Sequence, residues 1–314
     1  MFGTGQGSFR LFRIKGIDVY LNWTWFLVAV FEIQARRGQY TSALWNMLEY
    51  LALFGIVLLH EFGHALACRS VGGTADRIML WPLGGVAYVD PPQRPGATLW
   101  SIAAGPLVNV ALLPILGGAF EYAKLAHWRY SMPDEYRLVG AILTTNIVLL
   151  LFNILPIYPL DGGQILRSLL WFPLGRARSL MVASVLGFFG VAGLLLLAVW
   201  MQSLWTGLIA AYAGMNCWSG FKTARALRSL EKLPRRQGFA CPSCRTAPPV
   251  GPFWKCNHCE TQFDTFETGG VCPQCSARFA KTTCLDCRKQ SAIAEWQPGY
   301  VPGPGVMNGE MTAR

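Results

Sequence analysis

The chain has 314 residues, 53% of them hydrophobic and only 14% charged, with a net charge of +10 and a mean hydropathy of +0.33. Soluble enzymes carry far more charge, so this composition excludes them and describes a polytopic membrane protein. The positive surplus is what loops flanking membrane spans carry, and nucleic-acid binding needs support of its own.

Taken in chain order, the expected fold is an all-α polytopic membrane protein of about six transmembrane helices. A first span covers about residues 17–34 and tolerates Asp18 and Glu32 near its ends; it reads as an uncleaved anchor, since no small-residue cleavage site follows the basic start. A second covers about 45–68, with Glu49 near its start. No charged residue occurs at 95–120, 138–160 or 179–221, and the last run is long enough for two spans joined near Met201, Gln202 and Ser203. With six spans, Arg10, Arg13, Lys15, Arg69, Arg77, Arg94, Arg167, Arg176, Arg178 and the basic run at 222–236 share one side. The other side has only Arg36, Arg37, Lys124, Arg129 and Arg137. The excess of Lys and Arg marks the cytoplasmic face, so both termini of this multi-pass integral membrane protein are expected in the cytoplasm.

Within the second span lies His60-Glu61-Phe62-Gly63-His64. Histidines four apart share a helix face and can grip one zinc, while Glu61, about 100° around, can reach a water on that metal. Ionisable groups at membrane depth are costly unless they bind or pair, so the cluster is a functional-site candidate. A catalytic zinc takes three protein ligands, which leaves this motif one short. Asp161 is the candidate third ligand, at the end of Asn153-Ile154-Leu155-Pro156-Ile157-Tyr158-Pro159-Leu160-Asp161-Gly162-Gly163. Two prolines break the helix there, and Gly162-Gly163 is read as giving the chain unusual backbone freedom. The competing reading is an Asp that caps the helix starting at Gly162.

These residues resemble the site-2 proteases, a family of intramembrane zinc metalloproteases. The resemblance rests on HEFGH, on the segment ending in Asp161-Gly162-Gly163, on Ala104-Gly105-Pro106-Leu107-Val108-Asn109 and on Trp81-Pro82-Leu83-Gly84-Gly85-Val86, and it covers about residues 10–225. It implies that His60, His64 and Asp161 are the ligands of a catalytic Zn2+, that Glu61 is the general base, and that Asn153 steadies the tetrahedral intermediate. It implies too that the substrate is a membrane-anchored, regulatory protein cleaved within a transmembrane segment. An amide donor from Asn153 suits an oxyanion in a low-dielectric site, with an interhelical packing bond as the alternative. Asn109, among small residues that let helices approach, is read as a packing residue.

Residues 77–90 are rich in β-branched and aromatic side chains around Pro82-Leu83-Gly84-Gly85, which predicts a short β-hairpin or re-entrant strand near the active site. A strand edge there can hold a substrate in extended form by backbone pairing. No PDZ-like domain interrupts the membrane core.

Beyond Lys222 the composition changes. The expected organisation is a protease domain at 1–225, a basic linker at 226–240, a double zinc ribbon at 241–289 and a disordered, Pro/Gly-rich tail at 290–314. The pairs Cys241/Cys244, Cys256/Cys259, Cys272/Cys275 and Cys284/Cys287 are four knuckles, enough for two structural zincs with four thiolates each. Sequential pairing gives tandem ribbons; interleaved pairing is the alternative, and His258 is a substitute ligand. Cys68 and Cys217 remain as buried apolar residues. A cytoplasmic tail argues against disulfides. Near-balanced charge at 241–289 disfavours nucleic acid and favours a protein partner. The expected activity is therefore intramembrane zinc endopeptidase in a lipid bilayer; the alternative is a non-cleaving, membrane-embedded zinc scaffold acting through its ribbons.

Overall fold

The computed structural model describes residues 7–35, 38–81, 84–297 and 312–313. The expected bend at Pro82-Leu83, Arg36, Arg37 and the tail at 298–311 lie outside them. The chain forms two compact units, one from Met1–Pro91 and Pro95–Phe221, the other from Lys222–Arg314 together with Pro92–Arg94.

The first unit opens with strands β1 (Ser8–Ile14) and β2 (Ile17–Asn22), followed by α1 (Thr24–Ala35). A third of the expected first span is thus a strand, and α1, with 12 residues, is about 18 Å long against a hydrocarbon core of about 30 Å. The cause is a period of two: Ile17, Val19 and Leu21 all turn inward and are buried. Strands β3 (Thr74–Trp81) and β4 (Gly84–Asp90) complete a four-stranded sheet of order β1-β2-β3-β4. The β2–β3 pair is parallel, and β3–β4 is an antiparallel hairpin whose register closes at Trp81 opposite Gly84.

Among the described residues four helices are long and apolar enough to cross a membrane: α2 (Ala43–Ser70), α3 (Pro95–Leu125), α5 (Pro133–Ile154) and α6 (Asp161–Trp200). The short α4 (Trp128–Ser131) links α3 to α5, and α7 (Leu204–Glu231) follows α6 after a turn at Met201-Gln202. The 40 residues of α6 are not one rod. Gly175 has φ 78° and ψ 174°, two residues after Pro173, and breaks the helix into two pieces. Within the first unit, β2, β3 and the C-terminal half of α2 share a core of Ile17, Val19, Val57, Ala65, Ile78 and Leu80.

The second unit carries β5 (Trp254–Lys255) paired with β6 (Gln262–Phe263), and β7 (Lys281–Thr283) paired with β8 (Gln290–Ala292). Its centre is aromatic: Trp254, Phe263, Phe266 and Trp296 are buried, with Phe266 set edge-on to both Trp254 and Trp296. Two expected boundaries therefore move. Residues 290–296, assigned above to a disordered tail, form β8 and a 3-10 turn at Ile293–Trp296, and the Pro/Gly-rich composition starts only at Pro298. The expected linker at 226–240 is the end of α7 and then folded chain: Arg235 pairs with Asp286 and Arg236 with Asp264, both at 2.7 Å.

Candidate metal centres

The first centre is built on α2. His60 and His64 lie one turn apart, and their Nε2 atoms are 3.1 Å from each other. Asp161, the first residue of α6, brings Oδ2 to 2.9 Å from His60 Nε2 and 3.3 Å from His64 Nε2. Tetrahedral zinc with bonds of 2.0–2.2 Å needs ligand atoms about 3.3 Å apart, so the spacing and the donor set both fit that ion. The Asp161 carboxylate faces the imidazoles, and no side-chain bond caps α6 at Leu160.

Asp161 is aimed by the break before it. The chain turns at 155–160 and is pinned there, with the Cys217 thiol donating to the Tyr158 carbonyl at 2.8 Å and Gln164 donating to the Pro159 carbonyl at 3.0 Å. Gly162 and Gly163 serve this turn through space rather than backbone freedom. Neither has positive φ, but a Cβ on Gly162 would run into the Ile154 and Leu155 carbonyls, and one on Gly163 into Tyr158 and Ile157.

Close approach of α3 explains the second motif. A Cβ on Gly63 would lie 2.7 Å from the Ala104 carbonyl, and one on Gly105 would collide with His64 and sit 2.8 Å from His60 Nε2. Asn109 is no mere packing residue: its Oδ1 lies 2.6 Å from His60 Nδ1. His64 Nδ1 donates to the Ser101 carbonyl at 2.9 Å. Outer partners of this kind hold ring orientation and raise ligand basicity. Asn146, which sequence reasoning passed over, is fully buried on α5 and bonded to Asn109. Its one signal was an amide inside a charge-free span. Asn153 lies seven residues on, hence on the same face of α5, half-buried in the last turn, and among the described residues no hydrogen bond ties it to the His/Asp cluster.

Glu61 is buried beside the cluster and leans on β4. Its Oε2 accepts from the Ala87 amide at 2.7 Å, and a Cβ on Gly85 would strike its carboxylate. Gly85 thus lets an edge strand lie directly against the acid.

The second unit holds two four-cysteine clusters, and their pairing is nested rather than sequential. Cys241 and Cys244 meet Cys287 and Cys284 at 3.7 and 3.8 Å, while Cys256 and Cys259 meet Cys275 and Cys272 at 3.6 and 3.5 Å. The expectation of tandem ribbons is replaced by an inner site enclosed within an outer one. Tetrahedral zinc with bonds of about 2.3 Å wants sulfurs about 3.8 Å apart, which both clusters approach. Each knuckle makes the same turn: Arg245, Glu260, Ser276 and Arg288, each just after a second cysteine, have φ between 58° and 64°. His258 is outside the ligand sets; it is exposed, and its amide donates to Cys256 Sγ at 3.4 Å. In the outer cluster four thiols share protons unevenly. Hydrogen bonding among the four holds the Cys244 and Cys287 thiols below the usual range and pushes Cys241 and Cys284 above it. A dication resolves this by letting all four be thiolates.

Apolar helices of spanning length, a His-Glu-His helix and a distant aspartate at the same point define an integral membrane protein with a metallopeptidase-type centre. Residues 49–123 and 114–197 match the model of peptidase family M50. It is 32% identical over 182 residues to a zinc metalloprotease of Methanocaldococcus jannaschii, covering 57% of this chain and 50% of that one. It is 30% identical over 233 residues to a zinc metalloprotease, Rip3, of Mycobacterium tuberculosis, covering 66% and 58%. The solved site-2 protease from Methanocaldococcus jannaschii is 26% identical, with 68% of this chain and 95% of that chain covered and a TM-score of 0.48. The chain spans half to just over three fifths of the length of the first curated relatives it matches.

Proposed function

We propose that this protein is an intramembrane zinc endopeptidase that hydrolyses peptide bonds within transmembrane segments of membrane-anchored proteins. The observation that carries the reading is the convergence of His60, His64 and Asp161 to 2.9–3.3 Å, with a buried carboxylate, Glu61, next in sequence. A metal site needs only the first three; hydrolysis needs the fourth.

His60, His64 and Asp161 would hold the zinc, which when bound supplies a Lewis acid for the scissile carbonyl and acidifies water. Glu61 takes the proton of the attacking water and returns it to the leaving amine. The Ala87 amide holds Glu61 Oε2 in place between these transfers. Asn153 is proposed to steady the oxyanion from the end of α5. The substrate's unwound segment is proposed to lie along β4, an edge strand of the sheet, beside Glu61. Because Glu61 occupies the Ala87 amide, the pairing groups left to a substrate are those of Gly85 and Val89, the next on the same edge.

The finer topology is also proposed: about six passes, with both termini cytoplasmic by the Lys/Arg bias. So are the stoichiometry of one catalytic and two structural zincs and a protein partner for the cysteine-rich unit. The test is cleavage of a single-span substrate in liposomes. The zinc-loaded protein should cut it and its Glu61→Gln variant should not; equal behaviour of the two across many substrates overturns the reading.

A further inference from the structure

A histidine nitrogen holds a metal only when it carries no proton, and the other ring nitrogen must then be N–H and have an acceptor. For His64 the requirement is met in one step. Its Nδ1 lies 2.9 Å from the Ser101 main-chain carbonyl, which can only accept, so Nδ1 bears the hydrogen and Nε2 is bare. His60 has no such carbonyl. Its Nδ1 faces the side-chain amide of Asn109 at 2.6 Å, and the two ends of an amide have nearly the same shape and opposite roles. With the oxygen toward His60, Nε2 is free for a metal. With the nitrogen toward it, the proton moves to Nε2, the atom that faces His64 and Asp161, and the site cannot form.

We infer that Asn146 is the positioning residue that makes this choice, through a relay that ends on a main-chain carbonyl. Asn146 Nδ2 donates to the Asn109 backbone oxygen at 3.0 Å; that oxygen only accepts, so the Asn146 amide has one permitted orientation. Its Oδ1 is thereby turned to Asn109 Nδ2, at 2.8 Å. Two amide oxygens would repel in that place, so Asn109 must spend its nitrogen on Asn146 and present its oxygen to His60. Both asparagines have 0% exposure, and no solvent competes for their groups. The result is a chain of fixed donors and acceptors, carbonyl to Asn146 to Asn109 to His60, that does for one histidine what Ser101 does directly for the other. Asn146 lies outside every motif on which the family resemblance rests.

This inference depends on the metal-site reading above, and its test reads metal rather than activity. In the full-length protein in detergent, zinc affinity of the His/Asp site is measured by chelator competition, with cobalt as the spectroscopic probe. Thiolate sites give an intense sulfur-to-cobalt absorption that a His/Asp site lacks, so the two units are read separately. Asn146→Leu frees the Asn109 amide to turn and should weaken the site about 10–100-fold. Adding Asn109→Asp to that variant should restore affinity, because a carboxylate has acceptors at both ends and no wrong orientation. Loss of packing would not be repaired by that second change. Asn146→Ser is the companion if the leucine variant does not accumulate. Parental affinity in Asn146→Leu or Asn146→Ser, or no recovery in the double variant, overturns the inference while leaving the peptidase reading intact. Failure of the unsubstituted protein to bind metal at His60, His64 and Asp161 overturns both.

Discussion

The two units carry candidate metal sites of opposite design. In the first, three ligands come from the flanks of long helices, and their geometry exists because α2, α3 and α6 pack closely: Gly63 and Gly105 admit α3, and Gly162 and Gly163 admit the turn that aims Asp161. In the second, eight ligands come from four short turns, each closed by a residue in the left-handed region. Strands of two or three residues cannot orient those turns by themselves. A three-ligand site leaves a coordination position for chemistry, whereas a four-thiolate site is complete and serves structure. The first unit should therefore fold without zinc and lose only reactivity, and the second should lose its fold with its metal.

The sharpest way to break that contrast is Glu61→Gln. It should lower cleavage about 10²–10⁴-fold while full zinc content remains by atomic emission; loss of zinc would make Glu61 a ligand instead. Gly105→Ala should come next. Its methyl has no room beside His64 and His60, and displacing ligands by about 1 Å costs about 100-fold in rate. Unaltered cleavage would mean that α2 and α3 are not so tightly joined.

In the second unit the nesting sets an order. The outer cysteines Cys241 and Cys287 are 46 positions apart, the inner Cys259 and Cys272 only 13. With the inner site gone, the outer one must close a longer flexible loop, a penalty of about 1 kcal/mol, or several-fold in affinity. Cys256→Ser should thus weaken both sites, and Cys241→Ser only its own, as titration with a zinc indicator would show. Independent, tandem sites would give equal and separate losses. The smallest effect is expected from Ser276→Gly. Relief of φ 58° and the greater freedom of the unfolded glycine nearly cancel, leaving a stability change within about 1 kcal/mol by thermal melting of the cysteine-rich unit.

What sequence could show follows the same division. His60, Glu61, His64 and Asp161 were legible because membrane interiors make isolated ionisable groups conspicuous. Asn109 and Asn146 were not, since a neutral amide in a span reads equally as interhelical packing. Strand β2 was absorbed into a span because Ile17, Val19 and Leu21 raise hydropathy whatever their period, and the parallel partner that makes them a strand lies about sixty residues away. Cysteine spacing identified four knuckles but could not choose among pairings, which show only in the folded unit, where the cysteines pack with Trp254, Phe266 and Trp296. Gly162-Gly163 was seen, but what decides its role is the carbonyls it must fit against.

The most direct measurement is anomalous diffraction from the full-length protein at the zinc edge. The account predicts three peaks: one bounded by His60 Nε2, His64 Nε2 and Asp161 Oδ2, one within Cys241, Cys244, Cys284 and Cys287, and one within Cys256, Cys259, Cys272 and Cys275. Peaks confined to the cysteines, or a membrane peak without Asp161 beside it, would contradict it.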